Sequence, residues 1–283
     1  MSEIIEILKY IALGLIQGLT EPLPISSSGH MIILDALFGE VIAKDAMNNF
    51  QIIVNFASLL AIIYYYRKFL LELVKDSFLY IFKKELNKKN NFIYVLYVII
   101  ATIPAGIVGI IIKLFDLDKY ISNITVTGIC LFVTGLLLLY IHNISKYANR
   151  EEVTLKDSLT MGCAQVIGLL PGISRSGVTT SFGVNNKLSL MSALRFSFMM
   201  YIPASLGALV IGGYDILKTG IGSGNIIGYI GAFFASLFAT YIAINLFFNL
   251  VKNKNLKYFG YYCLSVATII LVLKIFEVLW WLE

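Results

Sequence analysis

The stretch QGLTEPLPISSSGH, residues 17–30, decides how this chain can fold. It lies inside an apolar region that runs from about residue 4 to residue 39, and Pro22, Pro24 and the serines 26–28 interrupt that region in its middle. The two halves are mostly too short to span a bilayer, which takes about 20 apolar residues. The interruption therefore predicts a re-entrant helix–loop–helix, with a pair of proline-kinked spanning helices as the alternative.

A second region, 155–186, is interrupted in the same way by Pro171, Gly172 and the motif SRSG at 174–177. Six residues recur at a constant offset of 148 (162 − 14, 177 − 29), namely Gly14, Gln17, Ile25, Ser26, Ser28 and Gly29 as Gly162, Gln165, Ile173, Ser174, Ser176 and Gly177. A re-entrant pair returns to the side from which it entered, and the three apolar segments that follow it then cross to the other side. The second copy therefore starts from the opposite face of the membrane. The pattern predicts an inverted-topology repeat, with repeat one at 1–145 and repeat two at 146–283.

Six other segments are long and apolar enough to cross a bilayer. They are 47–66, 92–113, 122–142, 190–213, 225–249 and 257–281. Hydrophobic residues make up 58% of the chain and charged residues 14%, whereas soluble domains carry about 25% charged residues. We expect one membrane domain, 1–283, of the all-α polytopic class, with six transmembrane helices plus two re-entrant pairs.

The basic residues predict how this domain is oriented. Fourteen loop lysines and arginines lie on one side and four on the other, and the positive-inside rule places the richer side in the cytoplasm. Both termini then face outside, with Trp280 and Trp281 at the outer interface, and the 67–91 loop is expected to form an amphipathic helix on the inner surface. The inner set is Arg67, Lys68, Lys75, Lys83, Lys84, Lys88, Lys89, Lys146, Arg150, Lys156, Lys187, Lys252, Lys254 and Lys257, and the outer set is Lys44, Lys113, Lys119 and Lys218.

The first interrupted region carries a candidate catalytic cluster. Glu21 is a carboxylate in an apolar stretch, and such groups are costly in a membrane and are functional candidates by default. Gln17 lies one helical turn earlier, and oxygen ligands from both residues suit Mg²⁺ or Ca²⁺. Ser27 and His30 share one face if a helix starts near residue 26, which suits a hydroxyl nucleophile with an imidazole base. A serine before glycine is also an ordinary helix cap.

The second region, PGISRSGVTT at 171–180, is a candidate anion site. A Gly/Ser loop that opens a helix offers free backbone N–H groups and the positive end of the helix dipole. Arg175 adds a planar fork that matches phosphate oxygens, although an arginine at a helix end can also simply snorkel to the interface. We expect the two helix N-termini to meet near the bilayer midplane, where a diphosphate with a divalent cation would satisfy Glu21 and Arg175 together.

These two stretches resemble the signature motifs of undecaprenyl-pyrophosphate phosphatases of the bacitracin-resistance type, and the resemblance covers nearly the whole chain. It implies a membrane phosphatase that hydrolyses undecaprenyl diphosphate to undecaprenyl phosphate and inorganic phosphate, recycles this lipid carrier for cell-wall synthesis and needs a divalent cation. The expected catalytic residues are Glu21, Ser27, His30 and Arg175; the expected phosphate-binding residues are Arg175, Ser26, Ser174, Ser176 and Thr179; the expected metal ligands are Glu21 and Gln17. Gln17 is the neutral variant at its position and brings one negative charge less.

A polyprenyl-phosphate flippase or transporter is the alternative, because inverted repeats with interrupted helices are also a transporter architecture. The pair Ser27 and His30 favours the enzyme, since a flippase needs neither a nucleophile nor a base. Direct attack by Ser27 and activation of a water by His30 both stay open. The expected partners are a polyprenyl diphosphate lipid and the bacterial plasma membrane, with the site open to the outer side; no nucleic acid is expected, and a homodimer is left open.

The orientation can be checked by labelling single cysteines in intact cells. In a background without Cys130, Cys163 and Cys263, cysteines introduced at positions 2 and 283 should react with a membrane-impermeant reagent, and one at position 90 should not. The physical reason is the excess of basic residues around position 90. Labelling at 90 without labelling at 2 and 283 would reverse the assigned orientation.

Overall fold

A computed structural model describes residues 2–38, 42, 44–220, 225–252 and 255–276. Within these residues the fold is built from helices, and the only β contact is an isolated bridge between Arg150 and Leu188. The α-helices are α1 (Ser2–Thr20), α2 (Ser27–Phe38), α3 (Lys44–Tyr65), α4 (Arg67–Lys83), α5 (Lys89–Leu114), α6 (Asp118–Ile121), α7 (Ile124–Ile144), α8 (Leu155–Ile167), α9 (Arg175–Asn185), α10 (Leu190–Thr219), α11 (Ile226–Lys252) and α12 (Lys257–Ile275).

Six helices are long and apolar enough to cross a membrane, as predicted, so the chain is a multi-pass membrane protein. They are α3, α5, α7, α10, α11 and α12. Several extend a few residues beyond the apolar segments, because charged ends such as Lys89 and Lys252 continue a helix into the interface. Trp280 and Trp281 lie outside the described residues.

The two interrupted regions break where the prolines predict. Pro22 and Pro24 lie between α1 and α2, and Pro171 lies between α8 and α9, because proline offers no N–H and disfavours helix in the residue before it. α2, α8 and α9 have 12, 13 and 11 residues, or roughly 16–20 Å of helix, against a hydrocarbon core of about 30 Å. α1 is longer than expected, with 19 residues, but Glu3, Glu6 and Lys9 make its first half polar. These lengths are compatible with re-entrant pairs.

The packing of the two halves is compatible with the predicted repeat. α1 packs along α11, and α8 packs along α5, so the first helix of each half contacts the second spanning helix of the other half. Gly14 lies against the backbone of Ala232, and its repeat counterpart Gly162 lies against the backbone of Ala101. In both places a Cβ atom would come within 3 Å of main-chain atoms, so only glycine permits the approach. The repeat boundaries themselves stay a prediction.

The two loops meet inside the molecule and position the site. The Ser26 hydroxyl accepts a hydrogen bond from the Gly172 N–H at 3.0 Å, which links residues 146 positions apart. Gly172 has a φ of 92°, and a Cβ there would lie 2.3 Å from the carbonyl oxygen of Thr127. Ser26 itself has a φ of 65°, a left-handed conformation that is uncommon outside glycine. The close contact of the two loops is therefore built on specific backbone conformations.

The predicted amphipathic helix in the 67–91 loop is present as α4. Leu71, Val74 and Phe78 are spaced along one face of α4 and are 68%, 68% and 54% exposed, while Leu73 and Asp76 are buried on the opposite face. An apolar stripe this exposed on a basic helix is typical of a helix that lies in a membrane interface.

An ion pair between Arg150 and Asp157 helps to hold the two ends of the second interrupted region together. Both terminal nitrogens of Arg150 donate to the carboxylate of Asp157, at 2.6 and 2.9 Å, and one of them also donates to the carbonyl of Asn186 at 2.9 Å. Asp157 is fully buried and also accepts from the hydroxyl and N–H of Thr154, which caps α8. Arg150 thus joins the start of α8 to the end of α9.

Loss of this ion pair should destabilise the protein at neutral pH. Asp157→Asn leaves the Arg150 guanidinium without a charged partner and should lower the free energy of unfolding by about 1.5–3 kcal/mol, measured in detergent. Glu152→Gln, at an exposed neighbouring acid, is the control and should stay within about 0.5 kcal/mol of wild type.

The effect should depend on pH. Burial by itself raises the pKa of Asp157, but hydrogen bonds from Arg150 and Thr154 outweigh it and lower the pKa below its usual 3.8. A carboxyl with a lowered pKa stabilises the fold above its unfolded pKa and loses that contribution as the pH falls through the folded value. The difference in free energy of unfolding between wild type and Asp157→Asn should therefore become smaller below about pH 4. A difference that does not change with pH would contradict the role assigned to Asp157.

Candidate active site

Glu21 is the centre of the candidate site. Its Oε2 accepts hydrogen bonds from the hydroxyl of Ser27 at 2.5 Å and from the amide of Gln17 at 2.9 Å, and its Oε1 accepts from Arg175 at 2.9 Å. The Glu21 side chain is only 6% exposed, whereas that of Arg175 is 30% exposed. The Gln17 amide also donates to Asn55 on α3 at 2.6 Å. The structure therefore joins the two predicted clusters around one buried carboxylate.

Ser27 and Arg175 occupy equivalent places in the two halves, each as the first residue of its helix. At the starts of α2 and α9 no acceptor reaches the N–H groups of residues 27, 28, 175 and 176 among the described residues. Free N–H groups and two converging helix dipoles make the space between these helix ends favourable for an anion. One half supplies a hydroxyl there, and the other supplies a cation.

Arg175 is held from two sides. Its guanidinium carbon lies 4.2 Å from the ring centre of Tyr201 on α10, while Glu21 holds one of its nitrogens. The stacked ring fixes the plane of the fork and leaves further N–H groups free for phosphate oxygens. The hydroxyl of Tyr201 is buried and makes no hydrogen bond within the described part of the chain, although Glu21 and Ser205 lie near it.

The predicted phosphate-binding hydroxyls divide into two groups. Ser26 and Ser174 are buried caps: each accepts from the N–H three residues later, Gly29 and Gly177, at 3.3 and 3.1 Å. The fully buried Thr179 bonds the carbonyl of Arg175 and, at 2.7 Å, the hydroxyl of Ser197.

Of the predicted hydroxyls in the second motif, Ser176 is the one that remains partly exposed beside Arg175. Its hydroxyl lies 3.3 Å from that of Ser174. The structure therefore leaves Ser176 able to contact a phosphate, while the caps and Thr179 shape the loop.

The predicted contact between Ser27 and His30 is not found. His30 Nδ1 bonds the carbonyl of Ser26 and Nε2 bonds the hydroxyl of Tyr262, both at 2.8 Å, and the His30 ring stacks on the Tyr262 ring. Both ring nitrogens are thus engaged away from Ser27. The physical reason is that α12 offers a hydroxyl to the imidazole, whereas Glu21 is the nearer acceptor for Ser27.

The predicted metal ligands form a small oxygen-rich set. Glu21 and the newly found Asn55 direct oxygen atoms to the Gln17 amide nitrogen, which donates to both, and the Gln17 oxygen joins them once that amide turns over. No group of three His, Cys, Asp or Glu side chains that could hold a metal occurs in the described part of the chain. One carboxylate and two amides fit a Mg²⁺ or Ca²⁺ ion that takes its remaining ligands from substrate phosphates and water. They do not form a dedicated ion site.

Comparison with known proteins decides the family. Residues 10–269 match the family described as Bacitracin resistance protein BacA, a range that contains both loops and all the residues around Glu21. The chain belongs to this family.

Curated relatives match this chain over almost their whole length. Undecaprenyl-diphosphatase 2 of Bacillus thuringiensis (strain Al Hakam) is 41% identical over 272 residues, covering 96% of this chain and 99% of the relative. Undecaprenyl-diphosphatase 3 of Bacillus anthracis has the same identity and coverage. Undecaprenyl-diphosphatase of Oceanobacillus iheyensis is 40% identical over 268 residues, covering 94% and 96%.

Three residues at the site were not predicted from the sequence: Asn55, Tyr201 and Tyr262. Asn55 had a signal, because it is the amide nearest the middle of the 47–66 segment, deeper than Asn48, Asn49 and Gln51. Tyr201 and Tyr262 had none, since the chain contains 17 tyrosines and only packing brings these two to Arg175 and His30.

Phe56, the residue that follows Asn55 in the chain, is part of the lining of an apolar groove. It has a volume of about 700 Å³ and lies between α3, α10 and α11. Its lining includes Ile52, Phe56, Leu209, Val210, Tyr214 and Phe233.

The geometry around Arg175 predicts a large effect of a conservative substitution. Arg175→Lys keeps the charge but loses the fork and the stacking on Tyr201, so hydrolysis of a polyprenyl diphosphate should slow by about 10²–10³-fold. Tyr201→Phe keeps the ring and should retain most activity, while Tyr201→Leu should not. Phosphate release by the purified variants measures this, and near wild-type turnover in Arg175→Lys would make Arg175 structural.

Proposed function

We propose that this protein is an undecaprenyl diphosphatase that releases inorganic phosphate from undecaprenyl diphosphate and leaves the monophosphate carrier. The proposal rests on the two hydrogen bonds of Glu21. One of its oxygens accepts from the Ser27 hydroxyl, and the other accepts from the Arg175 guanidinium. A base, a nucleophile and an anion-binding cation thus share one cluster. The names of the curated relatives agree with this chemistry.

The substrate fits the site in two parts. The diphosphate would lie between the ends of α2 and α9, where Arg175 and free N–H groups meet its charge. The isoprenoid tail would lie in the apolar groove beside Asn55, which places the hydrophobic chain and the polar head in matching surroundings.

In the first step Ser27 attacks the terminal phosphorus. Its proton passes to Glu21, which is already hydrogen-bonded at 2.5 Å, as the Oγ–P bond forms. The bond between phosphorus and the bridging oxygen breaks, and the lipid monophosphate leaves with the proton that Glu21 had taken, so Glu21 is again a carboxylate for the second step. Arg175 and the helix N-termini stabilise the charge on the transferring phosphoryl group.

In the second step water cleaves the phosphoserine, with Glu21 taking the proton of the water and Ser27 regaining one as inorganic phosphate leaves. A direct attack by water on the substrate, with Glu21 as its base, gives the same products. His30 acts in this scheme as a positioning residue, because it supports the Ser26 carbonyl next to Ser27.

We also propose a divalent cation, Mg²⁺ or Ca²⁺, held by Glu21, Gln17 and Asn55 together with the substrate. When bound, the ion would supply positive charge to the diphosphate oxygens. A flippase would need neither this arrangement nor the short contact between Ser27 and Glu21.

The proposed location is the bacterial plasma membrane, with both termini outside and the site open to the outer side. The asymmetry of fourteen against four basic loop residues supports this orientation. The substrate partner is the polyprenyl diphosphate lipid.

The direct test is phosphate release by the purified full-length protein in detergent. Undecaprenyl diphosphate should yield one inorganic phosphate and the monophosphate, and chelation with EDTA should stop the release until Mg²⁺ or Ca²⁺ is added back. A protein that moves the lipid between leaflets of a vesicle without releasing phosphate would be a flippase instead.

Replacing the nucleophile should separate the two chemical routes. Ser27→Ala should lower turnover by several orders of magnitude, because no other hydroxyl contacts Glu21 from α2. Ser28→Ala is the matched control, since Ser28 is exposed and should stay near wild type. Ser26→Ala is unsuitable as a control because Ser26 holds Gly172. More than about a tenth of wild-type turnover in Ser27→Ala would leave water as the nucleophile.

A further inference from the structure

Arg195 differs from the other arginines in having no hydrogen-bond acceptor among the residues that the structure describes. Of the four arginines, three donate to a backbone carbonyl or a carboxylate: Arg67, Arg150 and Arg175. Arg195 is exposed near the start of α10, and no hydrogen bond or ion pair to it occurs among the described residues. Its guanidinium carbon lies 5.4 Å from the ring centre of Phe69. The nearby acid Glu151 is bonded to Ser192 at 2.5 Å instead.

Two buried hydroxyls without partners among the described residues belong to the same end of the helix bundle as this guanidinium. The hydroxyl groups of Tyr66 and Tyr94 have no hydrogen-bond partner among the described residues, and both interact electrostatically with Arg195. Phe69, which lies under Arg195, packs edge-on against Tyr94 with ring centres 5.7 Å apart. Tyr66 packs against Phe198, three residues after Arg195 on α10, with ring centres 5.9 Å apart. A buried phenol without a hydrogen-bond partner costs free energy. The two phenols and the Arg195 guanidinium are thus three donor groups that one added acceptor would satisfy.

The depth of this cluster matches the headgroup region of a membrane. Arg195 and Tyr94 each lie five residues inside their helices, α10 and α5, which is about 7.5 Å of helical rise. Tyr66 directly follows the end of α3. Interfacial groups typically lie about 5–10 Å into the headgroup and acyl boundary.

The surroundings are basic as well as aromatic. Between residues 67 and 89 there are seven lysines and arginines and three acids, a net charge of +4 (7 − 3). The exposed apolar stripe of α4 borders the same end of the bundle, because Phe69 belongs to α4. Basic pockets between membrane helices at such a surface bind anionic lipid headgroups.

We propose that Arg195, Tyr66 and Tyr94 form a binding site for the phosphate of an anionic phospholipid in the leaflet next to α4. The Arg195 fork takes the phosphate oxygens, the two phenols donate to the same group, and the acyl chains lie along the lipid-facing helices. This site is separate from the catalytic one. Tyr201, which stacks on Arg175, lies six residues further along α10, about 9 Å away in helical rise.

Native mass spectrometry of the full-length protein in detergent tests this proposal. Phosphatidylglycerol should bind wild type in preference to phosphatidylcholine, and Arg195→Gln should weaken phosphatidylglycerol binding by about tenfold or more. Tyr66→Phe with Tyr94→Phe keeps both rings and should weaken it several-fold. Arg67→Gln is the matched control, because Arg67 already has the Tyr64 carbonyl as its acceptor, and it should bind as wild type does.

The other outcomes overturn the proposal. Equal phosphatidylglycerol binding by wild type and Arg195→Gln would show that the lipid binds elsewhere. Displacement of the lipid by millimolar inorganic phosphate would show a site for free phosphate and not for a lipid. If Arg195→Gln unfolds, Arg195→Lys provides the same comparison, with an intermediate affinity expected from a charge without a fork.

Discussion

A negative charge in the interior of a membrane protein must be compensated, and Glu21 is the charge on which this fold depends. Its two oxygens receive donors from α1, α2 and α9, so the carboxylate fixes the positions of both loops at once. The loops also contact each other through Ser26 and Gly172. Glu21 is 6% exposed within this arrangement, so its compensation comes from protein donors.

The sequence predicts the architecture well because the signals are local. Apolar length identifies the six spans, and prolines clustered with serines or glycine identify the two breaks, whereas the isolated Pro104 and Pro203 lie inside helices. The meeting of Glu21 with Arg175 was also expected, since each charge in an apolar region needs a partner. The symmetric roles of Ser26 and Ser174 as caps are visible from the offset alone.

The details of the site could not be predicted in the same way. Spacing places Ser27 and His30 on one helix face, but the structure pairs Ser27 with Glu21 and His30 with Tyr262 from α12. Thr179 lies on the expected helix and yet turns to Ser197 of α10. These choices depend on which distant helix packs against each side chain, and one-dimensional spacing contains no information on that packing.

The pairing of Glu21 with Arg175 also has a consequence for biosynthesis, because 154 residues separate them. Ribosomes add about 5–20 residues per second, so the carboxylate is made roughly 8–30 seconds before its cation. During that interval the first interrupted region can enter the bilayer only with its acid protonated or kept in contact with water. The first half of the nascent chain therefore lacks the cation that Glu21 needs, and the site is completed only when the second loop is synthesised and brings Arg175 to it.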